Sequence, residues 1–388
     1  MRIITKTLSV FTLAILLLAC NQTPKDTVVI PGKASIIENM NKANDYFMDK
    51  FPDPGVDLVQ PPKGIVWKSN IWTWSAYATG AMAMYNTTKD AKVLNYLTEW
   101  GNAHQWKIET VEMWNDHLAG QTYFELYQLD EVKNAHYIED VKKSIDLFME
   151  TGDVEGRKFG DNWNWVDAAY MAMPLFAQLG TLTGDSAYYD KMHKLYLNMK
   201  NEVGGGLYNA EDSLWWRDAS FKTPYSEPNG EDCYWSRGNG WVIGALVRTL
   251  EFMPQDAPFR AEYSQILTEM CETLVHLRRK DGLWNVSLHD PTNYGGKELT
   301  GSALFVYGMA WGVNNGLLEA EKFEPVIYKA WNAMVNECMH PNGFLGFVQG
   351  TGEQPSSGQP VTFKSVPDFE DYGLGCFLLA GSEIYKMK

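Results

Sequence analysis

The chain has 388 residues, among them 15 tryptophans, with 33 Lys+Arg against 48 Asp+Glu and a formal net charge of −15. So acidic a chain argues against nucleic acid as a partner, because affinity for a phosphate backbone is supplied by Lys and Arg, and an anionic ligand would need a local basic pocket. The seven histidines show no metal-ligand spacing and no cysteine pair reads CxxC, so neither a metal nor another cofactor is expected.

In chain order, the first stretch is a basic Met1–Lys6 followed by an apolar run from Val10 to Ala19. The run is too short to span a bilayer and reads as a signal peptide, residues 1–19. Leu17-Leu18-Ala19-Cys20 resembles the bacterial lipoprotein pattern, which makes Cys20 the expected lipidation site and the chain an exported lipoprotein. Asn21-Gln22, without an acid directly after the cysteine, points to the outer membrane, on its periplasmic or outward face. Residues 20–35 then form the lipidated cysteine and a polar tether containing Pro24 and Pro31. The remaining Cys233, Cys271, Cys338 and Cys376 read as buried thiols, although an exported location permits a disulfide.

From there the sequence predicts helix after helix, over residues 36–50, 71–86, 90–105, 116–129, 134–151, 165–180, 186–203, 237–253, 260–280, 300–319, 323–340 and 371–387. They alternate in character. The odd ones are amphipathic, as in Tyr188-Tyr189-Asp190-Lys191-Met192-His193. The even ones are apolar all round and rich in small residues, as in Gly80-Ala81-Met82-Ala83-Met84 and Gly373-Leu374-Gly375-Cys376-Phe377. An amphipathic helix faces water on one side and an all-apolar one is buried. The pattern therefore predicts an all-α fold, an (α/α)6 toroid of six outer and six inner helices, as a single catalytic domain over residues 36–388. Length alone would have suggested two domains. The turns Gly206-Leu207-Tyr208, Gly282-Leu283-Trp284 and Gly343-Phe344-Leu345 recur after outer helices and suggest short hairpins at one rim.

Chemically distinctive residues gather where the inner helices begin: Trp67, Lys68, Trp72 and Trp74; Trp114-Asn115-Asp116-His117; Trp163, Trp165 and Asp167; Tyr234 to Trp241; Tyr294 to Thr300; Asp368, Glu370, Asp371 and Tyr372. A toroid points all six inner N-termini at one mouth, so these segments converge on a cavity rich in tryptophan and carboxylates. Such surfaces suit sugar rings, which offer apolar faces and hydroxyl edges. Asp167 starts a buried helix beside indole rings, and desolvation there raises a carboxyl pKa, as a general acid requires. It could equally be a first-turn acid favoured by the helix dipole, Asp116 could cap its helix, and Trp163 or Trp165 could be plain core. Arg237, on a glycine-rich turn, calls for an anion, either a protein carboxylate or a ligand.

The runs Trp165-Val166-Asp167-Ala168-Ala169-Tyr170-Met171, Trp235-Ser236-Arg237-Gly238-Asn239-Gly240-Trp241, Thr300-Gly301-Ser302-Ala303-Leu304-Phe305 and Gly375-Cys376-Phe377-Leu378-Leu379-Ala380-Gly381 resemble glycoside hydrolase family 105. These are unsaturated rhamnogalacturonyl hydrolases, close to the family 88 unsaturated glucuronyl hydrolases. The resemblance implies an (α/α)6 barrel. It also implies removal of a 4,5-unsaturated uronic acid from the non-reducing end of lyase-generated oligosaccharides, by hydration of the double bond. On it, Asp167 is the proton donor and later the base, and Asp116 is the second carboxylate with His117 beside it. Arg237 and Trp241 contact the unsaturated sugar, with Trp163 and Trp165 as further sugar-facing candidates. Many members carry a histidine where this chain has Arg217, which suggests that Arg217 binds the uronate carboxylate. Alternatives are an inverting glycosidase on saturated glycosides with Asp116 and Asp167 as its acid/base pair, a non-catalytic glycan-binding lipoprotein, and a sugar epimerase.

Overall fold

The computed structural model describes residues 28–109, 114–149 and 163–387; the leader, Cys20 and the segment 150–162 that ends in Asp161-Asn162 lie outside the described residues. Twelve α-helices follow one another: α1 Lys33–Lys50, α2 Trp72–Thr88, α3 Ala91–Ala103, α4 Leu118–Leu129, α5 Glu139–Met149, α6 Asp167–Thr183, α7 Ala187–Asn201, α8 Ser236–Phe252, α9 Arg260–His276, α10 Leu299–Asn314, α11 Ala320–Ala333 and α12 Tyr372–Lys386. The even helices form the inner ring. Each packs on the next, α2 on α4, α4 on α6, α6 on α8, α8 on α10 and α10 on α12, and α12 closes the ring on α2. The odd helices pack outside this ring against their inner neighbours. Inner helices such as α6 and α10 are buried over nearly their whole length, whereas α5 and α7 bury one face. This is the toroid that the alternation of apolar and amphipathic helices predicts.

Small residues let the ring close. A Cβ on Gly80 of α2 would lie 2.1 Å from the Gly375 carbonyl oxygen of α12, and one on Gly375 would lie 2.1 Å from the Ala76 carbonyl oxygen. The two helices thus touch backbone to backbone, which larger side chains in a close-packed interior forbid. No helix among the described residues is long and apolar enough to cross a membrane.

The rim carries two short hairpins, β1 Asp57–Gln60 with β2 Ile65–Lys68, and β3 Tyr208–Asn209 with β4 Leu214–Trp215. The second follows the Gly206 turn, where φ is +92° and glycine carries no steric penalty. The turns at Trp284 and Leu345 make single bridges, to Glu298 and Met339. The first hairpin has no counterpart in the sequence reading, which took Trp67 and Lys68 as a lead-in to α2. Several helix ends also differ, among them those of α9, α10 and α11, which stop at His276, Asn314 and Ala333, short of the expected 280, 319 and 340. Residues 114–117 form a separate 3-10 turn ahead of α4. Residues 135–137 form another ahead of α5. And α6 runs on to Thr183 because Gly184, at φ +71°, supplies its left-handed cap. Cys233, Cys271, Cys338 and Cys376 are free, buried thiols.

Candidate active site

Asp167 is the first residue of α6 and only 8% exposed. The approach to it is held by backbone pairing: Trp165 bridges antiparallel to Asp218, and the Val166 amide donates to the Arg217 carbonyl at 3.0 Å. That register sets the Arg217 side chain against Asp167, with Nε 3.1 Å from Oδ2. The same guanidinium donates through Nη1 to Asp218 Oδ2 at 2.7 Å and to Glu353 Oε2 at 3.4 Å. Burial works against its charge, but Asp167 and then Asp218 and Glu353 more than offset this and hold Arg217 above the ordinary arginine value. The sequence reading gave Asp167 indoles and a second carboxylate as neighbours; the structure adds a cation in direct contact.

The run Arg237–Trp241 at the start of α8 builds the wall behind this pair. Asn239 accepts from the Trp215 amide at 2.9 Å and donates to the Trp215 carbonyl at 3.0 Å, clamping the end of β4 two residues before Arg217. Gly238 leaves space over the helix start: a Cβ there would meet Trp235 at 3.0 Å and the Arg217 side chain at 3.8 Å. Arg237 pairs with no carboxylate among the described residues. It is fully buried between the rings of Trp235 and Tyr372, and it donates to the carbonyls of Gln349 at 2.6 Å and Gly350 at 2.9 Å. Two backbone oxygens thus take the place expected of a carboxylate, and Arg237 anchors the loop that follows α11. Trp241 is buried as well, edge-on to Trp72 at 6.4 Å and tilted against Tyr170 at 4.7 Å.

Two further candidates are also supports rather than exposed contacts. His117 is buried with Nε2 2.6 Å from Ser144 Oγ on α5, so it faces an outer helix. Trp163 lies in the core against Trp114 at 5.9 Å and Phe176 at 6.2 Å. Asp116, 7% exposed, sits on the 3-10 turn that packs against α6. It does not cap α4, whose cap position is His117. Trp165 is half-buried at the mouth. Trp72, half-buried and tilted on Tyr372 at 5.4 Å, joins it there.

Asp218 and Glu353 are the site residues that sequence reasoning missed. Asp218 directly follows Arg217 in the chain, and its pairing to Trp165 is a tertiary event. Glu353 lies on a loop without periodicity, 136 residues from Arg217. Among the described residues no group of acids, histidines and cysteines converges as a metal site. A separate concavity of about 850 Å³, lined by Glu125, Glu251 and Glu383, opens where the inner helices end, at the face opposite Asp167.

A buried carboxylate gripped by a guanidinium, at an aromatic mouth where six inner helices begin, suits a carbohydrate-processing enzyme on a helical toroid. The chain belongs to glycosyl hydrolase family 88, whose model matches residues 39–388, and is a glycoside hydrolase. It is 34% identical over 331 residues to an unsaturated 3S-rhamnoglycuronyl hydrolase from Formosa agariphila, covering 82% of this chain and 85% of that one. Among solved structures it is similar to a family 88 glycosyl hydrolase from Bacteroides vulgatus. The identity is 29%, the TM-score 0.80, and the match covers 92% of this chain and 100% of that one. A family 105 glycoside hydrolase from C. acetobutylicum, at 20% identity and TM-score 0.69, shares the fold, with 90% of this chain and 99% of that one covered.

Proposed function

We propose that this family 88 hydrolase removes a 4,5-unsaturated uronic acid from the non-reducing end of lyase-generated oligosaccharides by hydrating the enol-ether double bond. Asp167 is the proton donor. It protonates C4, which leaves an oxocarbenium ion at C5. Asp167, now a carboxylate, takes a proton from water as the water adds at C5. The resulting hemiketal opens and the aglycone departs with its oxygen, so the water is consumed and Asp167 is regenerated. Asp116 is the second carboxylate of the site. Arg217 receives the uronate carboxylate, as a planar guanidinium suits a planar anion. Trp72 and Trp165 offer apolar surface to the sugar ring. The observation that carries this reading is the placing of Asp167, buried at the start of α6, 3.1 Å from the Arg217 guanidinium at the mouth. That cation favours the carboxylate form, and drawing it onto the uronate carboxylate lets Asp167 hold the proton it donates.

The finer assignment we favour is to family 105, with rhamnose as the sugar that leaves. Its support is the motif resemblance together with the rhamnose in the name of the Formosa relative. The conjugated double bond absorbs in the ultraviolet and its hydrated product does not. Wild-type protein is expected to abolish the absorbance of a rhamnose-linked unsaturated disaccharide, and Asp167→Asn to slow this by at least about 10²-fold. Turnover of saturated glycosides instead would indicate an inverting glycosidase, and binding without turnover a glycan-binding protein.

We further propose that the chain is an outer-membrane lipoprotein anchored through Cys20. The support is the leader pattern in the sequence. Cys20→Ser should move the protein from the membrane fraction to the soluble one; an unchanged distribution would refute the anchor.

A further inference from the structure

We infer that Glu353 is a specificity-determining residue: it holds the Arg217 guanidinium when no ligand is bound and yields that position to the carboxylate of the incoming uronate. The inference rests on the reading of Arg217 as the uronate receptor.

One cation here faces three carboxylates, and they are not held alike. Asp167 is fixed by its place at the start of α6. Asp218 is fixed by the bridge to Trp165 and by capping the turn Ala219–Phe221, where it accepts from the Ser220 amide at 2.8 Å. Glu353 makes the longest of the three contacts, 3.4 Å, and its side chain is 57% exposed against 12% and 17% for the other two. The Arg217 contact is also the hydrogen bond that Glu353 makes to the rest of the protein. Meanwhile Nη2 of Arg217 donates to none of the described residues, its bonds running from Nε and Nη1.

The loop under Glu353 is rigidly based. Gln349 donates through its side-chain Nε2 to the carbonyls of Gln354 at 3.0 Å and Ser357 at 2.6 Å. Arg237 grips residues 349 and 350, and Asp368 accepts from the Thr351 amide at 2.8 Å. The side chain can therefore swing into water while its loop stays in place. A uronate carboxylate added to this cluster would meet the charges of Asp218 and Glu353 even with Asp167 protonated. Exchanging Glu353 for the uronate carboxylate keeps the cluster's charge constant and opens a two-nitrogen edge for bidentate binding. An exposed ion pair is weak enough to be displaced yet strong enough to be felt as competition.

The test compares wild type with Glu353→Gln on two substrates: a lyase-generated unsaturated uronate disaccharide and the same disaccharide with its carboxyl methylated. For the free acid, KM should fall about three- to tenfold in the variant, the change being carried by KM rather than kcat. For the ester, wild type and variant should share one KM. An acid KM that stays or rises, or an ester KM that shifts by the same factor, overturns the inference while leaving the hydrolase reading standing. If wild type consumes neither substrate, that reading falls and the inference with it.

Discussion

Asp371 caps α12 from the dry side of the mouth, accepting from its neighbour's amide, Tyr372, at 2.7 Å and from Thr73 Oγ1 on α2 at 3.0 Å. Burial pushes its carboxyl from 3.8 up to about 7, against the opposing effect of those hydrogen bonds. The folded chain therefore keeps a proton on Asp371 at pH values where the unfolded chain has lost it. The stability this contributes is complete below the unfolded value and is lost as pH rises through about 7. Asp371→Asn keeps an acceptor oxygen and removes the charge. Its melting temperature should gain on wild type by a few degrees between about pH 5 and pH 8, and parallel melting curves across that range would refute the assignment. Of the residues at the candidate site, Asp167 and Arg217 were legible in the sequence, one from its place at a buried helix start and the other from a departure within the resemblance. Arg237 was legible as buried and in need of partners. That its partners are backbone carbonyls was not, because any buried acceptor satisfies a guanidinium and residue type does not say which.

Between elements, the contact that matters most for the site joins α8 to β4. Asn239 satisfies both backbone groups of Trp215, and both residues are fully buried. Asn239→Ala would orphan them at a cost of about 1–3 kcal/mol and loosen the strand end that delivers Arg217. We expect a lower melting temperature together with reduced kcat/KM. Reduced stability with unchanged kcat/KM would show that the clamp holds the fold without positioning the site. The helices were readable from their period, since each must bury a face or its whole surface. Their ends were less so: Gly184 extends α6 by one turn of local geometry, and the 3-10 turns before α4 and α5 carry no period of their own. The β1–β2 hairpin escaped for a related reason. Its strands have four residues each and expose Val59, Val66 and Trp67, so no alternation of apolar and polar residues marks them.

Across the whole molecule, the inner ring turns six scattered segments into one mouth, and it closes only because α12 reaches α2 at Gly80 and Gly375. Amino-acid sequence by itself determined the twelve helices among the described residues, their alternation and hence the toroid, and it singled out Asp167 as a candidate acid. These follow from short-range periodicity and residue type, which one chain carries in full, whereas Arg217 was singled out only by the family resemblance. Tertiary structure decided which members of the motifs face the mouth and which hold it up. His117, Trp163, Arg237 and Trp241 are buried, while Asp218 and Glu353 meet Arg217 from outside the quoted motifs. The physical reason is that a side chain's direction at a helix start, and the company a charge keeps across 136 residues, are fixed by packing and backbone pairing between distant segments. No local pattern encodes either.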